Sequence, residues 1–471
     1  MKRVAIVGGG IAGLAAAYEL EKQRLAGADL DWQLYEASER LGGTVSTTRI
    51  EGFVLEDGPD GWVTEKPWAR DLAVELGLKD ELISSNDATR KTYILIDGKL
   101  EAMPGGMRMM VPESLESLEG CALFTEAARA AYAAELARAD ELKASAPTED
   151  ESVSSFVRRH FGEEVLEKIG APLLSGVFGG DVAKLSVQAV MAGFVTMERE
   201  QGSLIAAVQA KLKARGNKPH PPIFTSLRRG MGSLVEAIVA KLPAERIHLS
   251  QPAMSLKREG KLWCLKTMKG TGKAKRHFQR VLLATPIDAT KVLLESLSAE
   301  AAALVPNDAS SAVLATFCWK PEAASQFLVP TGFGFLVPPD ASATESLLAA
   351  TFADQKFPGR VPEGCKVIRA FFGGASAAAL MEQSDEAVTA AALKQLRAIF
   401  GELPQPEASL TTVRRWPRSL PQYAVGHLER MAKLETLVGE LGGIKLLGNA
   451  YRGVGVPDLV RDSRAAVRAE Y

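Results

Sequence analysis

The stretch MKRVAIVGGGIAGLAAAYEL constrains the fold of this chain more than any other. Two positive charges and an apolar run from Val4 to Tyr18 fit a secretory signal, with Ala15-Ala16-Ala17 as its cleavage site. The same residues fit a strand, a glycine turn and a helix, and the glycines favour that second reading. Gly8, Gly10 and Gly13 fall in the GxGxxG spacing after the β-branched run Val4, Ile6, Val7 and before the helix-forming run Leu14 to Glu21. Glycine at these positions permits a tight turn, lets backbone N–H groups approach a pyrophosphate, and lets the helix pack close to its strand with the phosphates at its positive end. Gly8, Gly10, Ile11, Ala12 and Gly13 are therefore the expected pyrophosphate cradle, and the segment is expected to stay in the mature chain.

Trp32 to Tyr35 reads as a second strand, and Glu36 ends it 23 residues beyond Gly13, where an acid can bind a ribose hydroxyl. A solvated strand end is the alternative for Glu36 taken alone. The following loop, Ala37-Ser38-Glu39-Arg40-Leu41-Gly42-Gly43, sets an arginine before paired glycines. It suits a second close approach to an elongated, charged cofactor, with Arg40 for phosphate or ribose; a plain turn has the same composition.

The 471 residues leave room for more than one domain, and 56 basic against 57 acidic side chains suggest no nucleic-acid partner. Cys121, Cys264, Cys318 and Cys365 lie far apart, without a CxxC pair or a histidine at ligand spacing, so buried structural thiols in a reducing cytoplasm are expected. The five histidines are scattered, which supports neither a metal site nor a Ser/His/Asp triad. No apolar stretch is long enough to span a bilayer. The helix-rich segment from Glu113 to Arg159 carries Phe124, Tyr132 and Phe156. Such a stripe is ordinary core packing, with peripheral membrane contact as the lesser alternative.

Along the chain, Thr92 to Ile96 and Lys99 to Met103 flank Asp97-Gly98, a hairpin dipeptide. A helical block runs to about Leu212, broken by a loop at Ser175 to Asp181, where the glycines suggest close backbone approach. A helix from Gly232 to Leu242 precedes short strands, a hairpin at Lys269 to Gly272, and the run Val281 to Pro286. Residues 310–415 read as strand-rich, with alternation in Ser311 to Trp319 and Lys366 to Phe372 and a helix from Ser384 to Phe400. The end reads as a strand (Ile444 to Leu447), a glycine turn and a helix from about Val456. Nucleotide-type segments at beginning, middle and end imply an interleaved α/β architecture. Its expected parts are a Rossmann-like domain from residues 1–77, 221–310 and 416–471, a helical insertion with a hairpin at 78–220, and a strand-rich substrate domain at 311–415.

The combination of GGGIAG, Glu36 and RLGG resembles the FAD-dependent amine oxidase and porphyrinogen oxidase superfamily. There the glutamate binds the adenosine ribose and the double glycine approaches the flavin. Leu447 to Asp458 is similar to that superfamily's closing flavin motif. A helix starting near Val456 would aim N–H groups at the flavin edge that gains negative charge on reduction. Internal stretches resemble the oxygen-dependent protoporphyrinogen and coproporphyrinogen III oxidases of haem synthesis. They are Gly58-Pro59-Asp60, Gly179-Gly180-Asp181, Met197-Glu198-Arg199-Glu200 with Ser203-Leu204-Ile205, Arg229 to Leu234, Gly332 to Pro338, and Arg415-Trp416-Pro417 through Leu428. The resemblance covers essentially the whole chain. It implies FAD held by the residues already named together with Gly58, Pro59, Asp60, Trp416, Asn449, Val454, Gly455 and Val456.

The implied reaction takes six electrons from a porphyrinogen in three hydride transfers to flavin N5, with O2 as acceptor and peroxide as product. It needs no catalytic side chain beyond the flavin and no metal, because the organic chemistry belongs to the cofactor. By the same resemblance Leu336 and Leu348 sandwich the macrocycle near Gly176, and Arg90 and Lys91 take a propionate; plain core leucines and solvated loop charges are the alternatives. Tyr93-Ile94-Leu95, Met103 to Gly106 and Val111-Pro112 look more like the coproporphyrinogen enzymes, whereas Phe178 and Glu198 to Ile205 look like the protoporphyrinogen type. A downstream haem-pathway enzyme is a plausible partner for an insoluble, phototoxic product, and no residue indicates the oligomeric state. A flavin amine oxidase or carotenoid desaturase, which shares the end motifs, is the alternative enzyme.

Overall fold

A computed structural model describes residues 1–216, 221–339, 345–404 and 408–470. The chain forms two compact units, each assembled from separated segments: residues 1–85, 223–308 and 428–471 make the first, and 86–222 and 309–427 the second.

The first unit is built on a five-stranded parallel sheet. Strand β1 (Lys2–Val7) lies between β2 (Leu30–Tyr35) and Arg280–Leu283, with Ile247–His248 beyond β2 and Ile444–Leu446 on the far edge. The run Val4 to Val7 is apolar without alternation because a strand inside a parallel sheet is covered on both faces. Helix α1 (Ile11–Leu25) buries every residue from Ile11 to Glu21. Two acids within that buried stretch are paired: Glu19 accepts from Arg464 and Arg468 at 2.7 Å each, and Glu21 from Arg24 and Trp32. Burial pushes the Glu19 carboxyl up, and the two guanidinium groups more than offset this and hold it below the usual range. An antiparallel meander of Ala253–Glu259, Leu262–Lys269 and Gly272–Phe278 completes the strands of interest.

The second unit has a seven-stranded mixed sheet in the order Leu410–Pro421, Ala309–Trp319, Lys366–Phe372, Ala349–Phe352, Gly334–Leu336, Thr92–Ile96, Lys99–Ala102. In the hairpin between the last two, Asp97 and Gly98 both have positive φ (49° and 77°), as a type I′ turn requires. A helical layer between Glu126 and Arg215 has its own core, which includes Phe124, Tyr132 and Phe156. Among the described residues no helix is long and apolar enough to cross a membrane.

Several expectations need correction. Ala309–Trp319 does not alternate: it is buried without a break from Val313 to Trp319, because this inner strand is covered on both faces. The segment Ser175 to Phe178 is not a loop but the end of the helix Ala171–Phe178, whose Pro172 suits the first turn. Gly179, at φ +65°, ends that helix in the left-handed conformation, so the glycines mark its stop. Of the four cysteines, all free, only Cys264 and Cys318 are buried.

Candidate functional site

The turns at the carboxyl ends of the first unit's parallel strands converge, which is where open α/β sheets bind ligands. Gly8 has φ +106°, and a Cβ there would lie 2.2 Å from the Ala284 carbonyl oxygen; at Gly13 it would lie 1.9 Å from the Gly8 carbonyl oxygen. Neither position admits a side chain, so strand, turn and helix sit at backbone contact distance. Gly10 differs: a Cβ there meets nothing within 4 Å. It is the N-cap of α1, no side chain caps that helix end, and no acid lies in its first turn. Ile11 and Ala12 open the helix beside it. The cradle thus combines an open Cα face with a positive helix end, the arrangement that accepts a diphosphate.

The paired-glycine loop lies directly alongside. The Gly42 N–H donates to Gly9 O at 2.8 Å, and a Cβ on Gly43 would stand 3.2 Å from Gly10 Cα. Gly58 joins from the next loop, its Cα face against the Thr44 carbonyl oxygen, and Ser226 donates to Asp60 O at 2.6 Å, which pins the Pro59-Asp60 turn. Glu36 closes β2 with its carboxylate at the same place. It accepts from the Gly9 N–H at 2.6 Å and from the Ser38 N–H and hydroxyl at 2.8 Å each. Three donors leave acceptor capacity for ribose hydroxyls. Arg40 is exposed and its guanidinium donates to the carbonyls of Leu41 and Gly43, so it braces its own loop.

Asn449 and Val454 lie in the turn after Ile444–Leu446, and Gly455 is the N-cap of the helix Val456–Arg468. Asp458, in that first turn, would by itself oppose the positive helix end, but it is neutralised by Lys66 at 2.6 Å and Arg461 at 3.3 Å. Sequence reasoning missed Lys66, which is distant in the chain and carries no local pattern. It also missed Thr47 and the role of Glu56. Their side chains accept from the Gly232 and Met231 N–H groups at 2.8 Å each and so hold the Arg229 to Leu234 motif. All the cofactor candidates except Trp416 lie in the first unit. Trp416 belongs to the second, on Leu410–Pro421 opposite Ala312.

The substrate candidates all lie in the second unit. Gly176 is exposed near the end of its helix, and a Cβ there would stand 3.2 Å from Leu336 Cδ2. Leu348 accepts from the Val337 N–H at 3.0 Å and packs its side chain against Gly373. Gly176 and Leu336 are therefore in direct contact, and Leu348 is on the next stretch of chain. Arg90 and Lys91 are both exposed just before Thr92–Ile96, whose Ile94 pairs with Leu336. Three to four residues of strand place them about 10–13 Å along the sheet from Leu336. Gly180 and Gln422 bring the remaining motifs together. A Cβ on Gly180 would meet Gln422 Oε1 at 1.6 Å, and the Gln422 amide donates to Phe178 O and Leu420 O at 2.9 Å each.

Comparison with known proteins gives a consistent picture. Residues 11–469 match the family model described as flavin containing amine oxidoreductase. The coproporphyrinogen III oxidase of Bacillus subtilis (strain 168) is 31% identical over 99% of this chain and 97% of its own length. Protoporphyrinogen oxidase 1, chloroplastic, of Spinacia oleracea is 27% identical over 95% of this chain and 80% of its own. A crystal structure of a provisionally named protoporphyrinogen oxidase from Exiguobacterium sp. 255-15 superposes with a TM-score of 0.83 at 32% identity, covering 99% of this chain and 98% of that one.

Proposed function

The chain belongs to the flavin-containing amine oxidoreductase family, and from that premise we propose that it is a porphyrinogen oxidase of haem biosynthesis. It is an enzyme and its cofactor is FAD. The observation that carries the cofactor assignment is the open face of Gly10 at an uncapped helix start, with Gly42-Gly43 laid against it. The porphyrinogen assignment is supported by full-length likeness to the bacterial and chloroplast oxidases.

Bound FAD supplies a two-electron acceptor that can be used three times per macrocycle. The chain's own residues bind and orient. Backbone N–H groups at Gly10, Ile11 and Ala12 take the diphosphate, and Glu36 takes the adenosine ribose. Gly42, Gly43, Gly58, Pro59 and Asp60 line the cofactor's length. Asn449, Val454, Gly455 and Val456 present a helix start whose Asp458 charge Lys66 has cancelled. Arg40 holds its loop in shape. Leu336, Leu348 and Gly176 offer the flat macrocycle an apolar face, with Arg90 and Lys91 placed for its propionates. The residues assigned here provide no acid–base pair, and removing electrons from an electron-rich ring asks chiefly for geometry. Molecular oxygen is the proposed final acceptor, giving three peroxides per porphyrin. The free thiols fit a reducing compartment, so the proposed location is the cytoplasm, with peripheral contact with a membrane or with the next haem-pathway enzyme as a means of product handover.

Porphyrin fluorescence growth in air, with coproporphyrinogen III and protoporphyrinogen IX offered separately, tests this reading. Turnover with stoichiometric peroxide supports it, and the ratio of efficiencies assigns the branch. No turnover of either by flavin-loaded protein would move the assignment to an amine oxidase or desaturase. Two variants probe the substrate face. Gly176→Leu should fill the space beside Leu336 and lower kcat/KM for porphyrinogen by roughly 10- to 100-fold at unchanged flavin content, as a misplaced flat ring loses its near-attack geometry. Replacing Arg90 and Lys91 together by alanine should raise KM by about 5- to 50-fold with little change in kcat, the loss of one or two exposed charge-assisted contacts. A fall in kcat at constant KM would remove these two cations from propionate binding.

A further inference from the structure

The antiparallel meander of the first unit gathers three donor side chains that are separated along the chain. Cys264, on the central strand, is the register partner of both Lys257 and His277. Glu259, two residues beyond Lys257, projects on the same face by strand alternation. A thiol sulfur, an imidazole nitrogen and a carboxylate oxygen therefore converge within 4.8 Å of one another. His277 Nε2 is already 2.8 Å from Glu259 Oε2, and the other oxygen, Oε1, is held by Lys275 at 3.0 Å.

We propose that Glu259, Cys264 and His277 form a binding site for a zinc-class divalent cation, with water as the fourth ligand. The donor set selects the metal: one sulfur, one nitrogen and one oxygen suit zinc, whereas magnesium and calcium require oxygen cages. The geometry needs little adjustment. Donors at 2.0–2.3 Å around a tetrahedral zinc ion stand about 3.3–3.8 Å apart. The His277–Glu259 contact must open by about half an ångström and no pair has to close by more than about one, which side-chain rotation supplies on a fixed strand register. The access is right as well, since Glu259 is exposed, His277 half-exposed, and Cys264 lies beneath them as the floor. Lys275 fixes the carboxylate by its far oxygen and leaves Oε2 for the metal, the orienting role that outer partners play in metal sites. On binding, the Cys264 thiol passes its proton to solvent and the sulfur lone pair forms the bond to the metal, with no change of oxidation state.

The site is independent of the flavin chemistry, and its test reads metal rather than turnover. Flavin-loaded protein is stripped with chelator, desalted and titrated with zinc against a chromophoric competitor. One equivalent is expected to bind at micromolar dissociation constant or tighter. Cys264→Ala and His277→Ala should each weaken it by about 100-fold or more, with flavin content unchanged. Difference spectra of wild type with cobalt(II) should show sulfur-to-metal charge transfer. Binding only in the millimolar range, equal affinity in the variants, or cobalt spectra without a sulfur band would each reduce the cluster to a surface hydrogen-bonded group and overturn the proposal.

Discussion

Gly10→Glu should yield a folded protein without colour. A Cβ at residue 10 would meet nothing within 4 Å, so the apoprotein has open space where the new side chain begins, and the variant's thermal midpoint should match that of stripped wild type. The new carboxylate, however, projects into the space that the diphosphate requires. It removes charge-assisted contacts at the start of α1 and sets like charges against each other, a loss of about 3–4 kcal/mol or roughly 10²- to 10³-fold in FAD affinity. Gly13→Ala provides the contrast. Its Cβ would meet the Gly8 carbonyl at 1.9 Å, so this smaller change should damage the turn itself and lower stability even without cofactor. Flavin absorbance after reconstitution, read beside the unfolding midpoint, separates the two. A yellow Gly10→Glu protein would show that the diphosphate lies elsewhere.

The second large effect is expected at Glu135, in the helical layer of the second unit. This fully buried carboxylate accepts from His160 Nδ1 at 3.0 Å, from the Ser203 hydroxyl at 2.6 Å and from the Leu204 N–H at 2.6 Å. The other nitrogen of His160 faces Glu198 at 3.2 Å, and Arg159 bridges Glu198 to Glu151. The helices Glu126–Ala137, Val153–Phe161, Ala192–Gln201 and Leu204–Arg215 are thereby joined through the His160 imidazole and the Glu135 carboxylate. Glu135→Ala leaves three buried donors without an acceptor, and about 3–5 kcal/mol of destabilisation is expected, read as a lower denaturation midpoint. Loss of less than about 1 kcal/mol would mean that water replaces the carboxylate freely.

The same imidazole makes a pH dependence with a definite sign. Burial alone would lower the His160 pKa, but its bonds to Glu135 and Glu198 outweigh that and raise it above the ordinary value. The folded protein therefore holds this proton more tightly than the unfolded chain. The associated stability is fully present below the unfolded value of about 6.5 and is lost as pH rises through the folded value. Wild-type stability should fall across that window, and His160→Gln should be less stable overall but show a flatter profile there. An equal slope in the variant would assign the dependence to other groups.

Local order made much of this molecule legible in sequence. A β-branched run, three glycines and an alanine-rich run can satisfy their backbone geometry in few ways, so β1, the turn and α1 were readable from residues 2–25, as were the Asp97-Gly98 hairpin and the helix near Val456. The motifs Arg229 to Leu234 and Met197 to Ile205 were visible as strings, but not the reason for them. Thr47 and Glu56 hold the first, and Glu135 with His160 holds the second, through contacts between residues far apart in the chain. The alternation read into Ser311 to Trp319 also went astray for a non-local reason, since what covers a strand's second face is decided by the layers packed on it.

The sequence by itself determined the strand–glycine turn–helix start, the interleaved α/β order and the redox class, because each depends on neighbours within a few residues or on motifs kept as strings. Only the tertiary structure decided that Lys66 neutralises Asp458, that Gly176 touches Leu336, and that Glu259, Cys264 and His277 share one face of a sheet. The physical reason is common to all three. Hydrogen-bond register and close packing set such distances to within an ångström, whereas spacing along the chain carries no information about which strands will lie side by side.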